Sequence, residues 1–134
     1  MQLALMAALS LHVLAATFWA GSTLALARTG GGGSERLFGP QMGAAVIAVL
    51  TGAYLWRTLH EASFGPMERL LTAGALCALL AAAVQAVFAG SALRKLSRHR
   101  GDDAVARSRI SLAHRVAAVL LVVATLCMAA ARYA

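Results

Sequence analysis

Residues 2–27 read QLALMAALSLHVLAATFWAGSTLALA, and the only ionisable side chain among them is His12. The run is longer than the ~20 apolar residues that cross a bilayer core as a helix. It also lacks the strict alternation of a membrane β-strand. It has no basic region ahead of it, as a secretory signal would, and is read as a membrane span.

Three more runs of the same kind follow, at 41–59, 67–93 and 110–133. The chain of 134 residues is 60% apolar and 13% charged, which fits a membrane protein and not a soluble domain. Short connections make successive helices antiparallel neighbours. The expected fold is therefore all-α: a single integral membrane four-helix up-down bundle over residues 1–134.

The net charge of +7 follows the connections between spans, so it points to the membrane and not to nucleic acid. Arg94, Lys95, Arg98, Arg100, Arg107 and Arg109 lie between the third and fourth spans, and Arg28 and Arg36 between the first and second. The opposite side holds only Arg57, Arg69 and Arg132. The positive-inside rule then places the basic connections in the cytoplasm and both termini outward, as in a bacterial inner-membrane protein. Tyr54, Trp56 and Tyr133 form an outer aromatic belt on this reading.

The segment 29–40, TGGGGSERLFGP, reads as a mobile Gly-rich turn, a hinge or linker, closed by a Gly39-Pro40 step that breaks any helix. No strand precedes it and no Lys-Ser or Lys-Thr follows, so it is no nucleotide loop. Residues 94–109 read as a helical extension of the third span followed by a turn at Gly101. Its basic side chains suit anionic lipid headgroups.

Ionisable groups inside a membrane are costly and carry functional hypotheses by default; buried amides raise the same question. The candidates are His12, Gln85 and His114. At a rise of ~1.5 Å per residue, His12 lies ~15 Å from the outer end of its helix, and His114 lies near the cytoplasmic end of the fourth span. The two are too far apart in depth to share one metal atom. Leu5, His12 and Trp19 fall on one helical face, continued by Ser22 and Thr23, and Trp19 suits either helix packing or a flat cofactor beside it.

Two metal sites can be built from these residues. One is a haem held by His12, with Arg57, Arg69 or Arg132 meeting its propionates and His60 as second ligand or propionate contact. In that scheme His114 is a ligand only if there is a second site near the cytoplasmic face. The other is a soft-metal site for copper from His12, Cys77, Cys127 and Met128. Against both stands a structural role: His12 hydrogen-bonded to a neighbouring helix, with Thr51 or Thr125 accepting, the two cysteines as small apolar side chains, and His114 either interfacial or bonded to Gln85. All five acids, Glu35, Glu61, Glu68, Asp102 and Asp103, lie in connections or at span ends, which excludes a Ser-His-acid hydrolase centre within the membrane.

The stretch LHVLAATFWAGS at 11–22 resembles the opening helix of the copper-resistance D (CopD) membrane family, in which a His is followed by an aromatic-small-Gly turn. VLTGAYLW at 49–56 and AHRVAAVLLVVATLCMAAARY at 113–133 also look like small four-helix relatives of that group. That resemblance implies a role in metal uptake or tolerance. The chain is similar, too, to the bacterial four-helix membrane protoporphyrinogen oxidases, a family associated with haem b, and only His12 carries over. The expectation is a b-type haem protein that handles electrons between a quinone or periplasmic redox partner and another protein, possessing oxidoreductase activity if it is an enzyme. Copper handling and a purely structural subunit of a membrane complex are the alternatives, and small-residue faces on all four helices leave a homo-oligomer open.

Overall fold

In hydrocarbon a peptide group finds no partner except another peptide group, so an apolar run that enters the membrane closes its own hydrogen bonds as a helix. All four runs do so. The computed structural model describes residues 2–59, 65–99 and 104–134. Its helices are α1 (Gln2–Arg28), α2 (Ser34–Leu59), α3 (Pro66–Val84), α4 (Gly90–His99) and α5 (Ala104–Ala131), with a single π turn, Gln85–Ala89, joining α3 to α4. Four stretches are long and apolar enough to span a membrane: α1, α2, Pro66–Arg98 and α5. The protein is an integral membrane four-helix bundle, and no strand occurs among the described residues.

Side-chain pairing fixes the directions of the helices. His12 meets Ala48 and Thr51 while Thr23 meets Gln41, so α1 and α2 are antiparallel. Gly74 lies against Ala124 and Met128 while Gln85 meets His114, so α3 and α5 are antiparallel as well. The two pairs join through α1 and α5, which puts α5 at the centre of the bundle; α2 touches the third span at only a few residues. One close approach there sets Phe38 against Gly90, where a Cβ would stand 3.1 Å from the ring. The expectation that all successive helices are full neighbours therefore fails for α2 and α3.

Alanine dominates the interior. Ala15, Ala44, Ala45, Ala48, Ala81 and Ala117 pack around Trp19 and Leu121. Large apolar side chains such as Leu14, Leu50, Leu80, Val119 and Leu126 point outward, where lipid tails solvate them as well as a core would. Small inward residues let backbones approach closely, and the α3–α5 seam shows how closely. A Cβ on Gly74 would stand 3.1 Å from the Ala124 carbonyl oxygen and 3.2 Å from Met128 Cγ. Gly74→Leu is expected to cost ~1–3 kcal/mol by overpacking. Gly21→Leu, which enters open space, should stay within ~0.5 kcal/mol. Unfolding of both variants by SDS titration from mild detergent micelles checks this contrast.

Two boundaries differ from the sequence expectation. α2 begins at Ser34 and runs through Pro40, so Gly39-Pro40 does not break it. Proline there removes one hydrogen bond from the early part of a 26-residue helix, which the remaining turns outweigh. The Gly-rich segment is a tight turn, as expected. Gly30, Gly31 and Gly33 take positive φ, Gly31 N–H donates to Leu26 O at 2.8 Å, and Gly33 O accepts from Arg36 and Leu37 to start α2. Gly31 is irreplaceable on two grounds, since a Cβ there would be left-handed and 2.8 Å from Ile110 Cγ2. α5 starts at Ala104 rather than at residue 110, because Arg107 and Arg109 limit how much of the segment lies in hydrocarbon without ending the helix.

Candidate functional site

Six polar or amphipathic side chains meet inside the basic half of the bundle: Trp19 and Thr23 from α1, Ser34 and Gln41 from α2, Gln85 at the π turn, and His114 from α5. Each is at most 2% exposed. The π turn presents Gln85. Gly90 N–H reaches back to the Gln85 carbonyl, five residues earlier, and the inserted residue redirects the helix face at this point.

One donor orients the whole cluster. An indole N–H can only donate, and Trp19 Nε1 lies 2.7 Å from Gln85 Oε1, so the amide oxygen must face the tryptophan. The amide nitrogen then faces Thr23 Oγ1 at 2.9 Å and His114 Nδ1 at 3.3 Å. Because Gln85 donates, His114 Nδ1 must carry a lone pair. The ring proton therefore sits on Nε2, which donates to Ser34 Oγ at 3.3 Å, and Ser34 in turn donates to Gly31 O at 2.7 Å. Thr23 is the hub: its hydroxyl donates to Trp19 O at 2.7 Å and accepts from both Gln85 and Gln41, each at 2.9 Å. Among the described residues, Gln41 Oε1 is the one buried side-chain polar atom without a partner. Beyond Ser34 an open cleft of about 270 Å3 reaches the basic end, lined by Gly30–Gly33, Glu35, Leu93, Leu96, Arg107 and Ile110.

His12 stands apart, half-buried between α1 and α2. Its Nδ1 lies 2.8 Å from Ala48 O and 3.1 Å from Thr51 Oγ1. A carbonyl only accepts, so Nδ1 carries the proton and Nε2 a lone pair, which makes no hydrogen bond among the described residues. Gly52 makes room for the ring: a Cβ there would stand 3.0 Å from His12 Cε1. No protein family, curated protein or solved structure matches the chain.

The structure brings together only some of the residues singled out in the sequence. His12 and Thr51 pair as the structural reading expects, and so do Gln85 and His114. Trp19 is committed to Gln85 and buried, and does not flank an open space. His114 is fully buried rather than solvated, and both its nitrogens are engaged, Nδ1 by Gln85 and Nε2 by Ser34. Arg57, Arg69 and Arg132 are exposed at the end of the bundle opposite the basic connections. His60 lies outside the described residues. Cys77 and Cys127 are free thiols; Cys127 and Met128 pack on the α3–α5 seam beside Gly74, while His12 is in the α1–α2 seam. Among the described residues no three His, Cys, Asp or Glu side chains gather as a metal-binding group. Sequence reasoning missed Ser34, Gln41 and the hub role of Thr23. A glutamine at the start of a span was the available signal for Gln41.

Proposed function

We propose that the chain is an integral membrane b-type haem protein in which His12 supplies an axial imidazole. The observation that carries this reading is the state of His12. Its Nδ1–H is anchored on Ala48 O while Nε2 presents an unpaired lone pair inside an apolar helix pair. Metal-ligating histidines have this second-shell pattern, in which a carbonyl fixes the tautomer and the ring orientation. Gly52 and Thr51 hold the ring in place, and Arg57, Arg69 and Arg132 stand as cations at the outer end of the bundle, above the level of His12, suited to carboxylate side groups. Bound haem supplies a one-electron couple, and the chain contributes the ligand, the apolar surroundings that set the potential, and the neutralising charge.

With the basic connections in the cytoplasm of a bacterium, His12 serves the outer half of the inner membrane, within reach of a quinone or a periplasmic redox partner. The stretches LHVLAATFWAGS and VLTGAYLW, which resemble CopD-type helices, contain His12 and its partners Thr51 and Gly52, so that resemblance points to a metal at His12 without choosing haem over copper. Among the described residues no gathered donor set supports the copper alternative, and the structural-subunit alternative treats His12 as a helix clamp.

A visible spectrum of the purified protein, oxidised and then dithionite-reduced, with metal analysis of the same sample, decides among them. Haem predicts a Soret band and an α band that sharpen on reduction. His12→Ala should lose most of the haem while the bundle stays folded in detergent. A colourless protein, or an unchanged spectrum in His12→Ala, overturns the reading.

A further inference from the structure

The bundle is closed along three of its seams and open along the fourth. α1 packs on α2 and on α5, and α5 packs on α3, whereas α2 meets the third span at only a few residues. Phe38 against Gly90 is the close approach that joins them. From that contact toward the basic end, two open clefts of about 270 and 530 Å3 lie side by side and share Glu35, Leu93 and Leu96.

The lining of these clefts grades from apolar to charged. Phe38 and Gly90 lie nearest the membrane interior, Leu93 and Leu96 form a half-buried apolar wall, and the exposed Glu35, Arg94 and Arg107 stand where the chain leaves the hydrocarbon. Glu35 on α2 and Arg94 on α4 both line the larger cleft, and no ion pair joins them. Opposite charges held apart over an apolar wall at headgroup level match an amphiphile that carries both charges itself.

We propose that the open seam between α2 and the third span is a binding site for a zwitterionic phospholipid with a primary amine, that is, phosphatidylethanolamine. Its phosphate lies at Arg94, and Arg107 adds positive charge from the smaller cleft. Its ammonium group donates to the Glu35 carboxylate in a charge-assisted hydrogen bond. An acyl chain runs past Leu93 and Phe38 into the seam that α2 and α3 leave unfilled. Basic pockets between spans ordinarily take anionic lipids. Here a purely anionic headgroup would set its charge against Glu35, which lines both clefts. The site rests on the membrane-spanning bundle and not on haem at His12.

Lipid binding to the delipidated full chain in maltoside micelles, read by native mass spectrometry, tests the proposal. The probes are phosphatidylethanolamine, phosphatidylcholine and phosphatidylglycerol with identical acyl chains. Phosphatidylethanolamine should bind about fivefold more tightly than phosphatidylglycerol, the upper end of what one exposed ion pair contributes. Phosphatidylcholine, which keeps the positive charge but has no N–H to donate, should fall between them. Glu35→Gln should remove the preference over phosphatidylglycerol, and Arg94→Gln should weaken all three lipids, because all three have the phosphate. Both changes replace exposed side chains and leave the fold intact. Arg115→Gln, at an exposed cation outside the clefts, should leave the ranking unchanged. The proposal is overturned if phosphatidylglycerol binds as tightly as phosphatidylethanolamine or more tightly, if the preference survives Glu35→Gln, or if Arg94→Gln binds all three lipids as the wild type does.

Discussion

Gln85→Leu is expected to be the most destabilising single substitution of a polar residue in this protein. Leucine nearly matches the volume but removes the acceptor for Trp19 Nε1 and the donors for Thr23 Oγ1 and His114 Nδ1. Each orphaned buried group costs ~1–3 kcal/mol in a water-soluble protein, and a single interhelical bond in a membrane protein averages closer to ~0.6 kcal/mol. With the Trp19 N–H and His114 Nδ1 left unpaired together, the expected loss is about 2–4 kcal/mol. Three elements, α1, the π turn and α5, loosen at once.

Gln85→Glu separates shape from hydrogen bonding. A carboxyl group still accepts from Trp19, and its neutral form has an O–H that can donate to His114 Nδ1, so the pair can keep its bonds. The Glu variant should be less destabilised than Gln85→Leu. The double variant Gln85→Leu/His114→Leu should cost less than the sum of its parts, because the second change removes a group that the first has already stranded. SDS-driven unfolding of the wild type, Gln85→Leu, Gln85→Glu, His114→Leu and the double variant measures these differences. Additive costs would show that the side chains act independently and that the network has no collective role.

The four spans were legible because the bilayer imposes one solution on a long apolar run, and hydropathy records it directly. Helix ends were less legible. Hydropathy marks where the hydrocarbon ends, but α2 and α5 continue past that level as ordinary helices at Ser34–Gly39 and Ala104–Arg109. Pro40 misleads for a related reason: a proline's cost is local and fixed, while the helix around it gains from every other turn. The bond between Gln85 and His114 was foreseeable from two costly groups on helices expected to adjoin. The full cluster was not, because Thr23, Ser34 and Gln41 are unremarkable singly, and only the α1–α2 register and the π turn bring them to one point. The open contact between α2 and α3 is likewise a packing outcome, with Ala-rich faces on every helix and nothing in the pattern to choose among pairings.

If His12 ligates haem as proposed, Gly52→Val should weaken haem binding by ~10–100-fold while leaving the bundle folded, the range typical of losing a partner that orients a metal-ligating histidine. Glycine at this position leaves no slack. A Cβ alone would stand 3.0 Å from His12 Cε1 and 3.4 Å from Nδ1, and the branched methyls of valine occupy still more of the space in which the ring lies. The ring must swing away and surrender the 2.8 Å bond from Nδ1 to Ala48 O. Free of that anchor, the imidazole can protonate either nitrogen, and Nε2 is no longer held as the bare one. Gly52→Ala should fall between wild type and valine. Thr51→Val should have a small effect, because the Ala48 carbonyl still accepts and the Thr51 hydroxyl already donates to Ile47 O at 2.6 Å. Gly43→Val is the matched control, since a Cβ there meets nothing within 4 Å. Haem titration of the apo proteins, followed at the Soret band, ranks them. Wild-type affinity in Gly52→Val would mean that ligation does not depend on how α2 seats the His12 ring, and the assignment of His12 through its Ala48 anchor would fall with it.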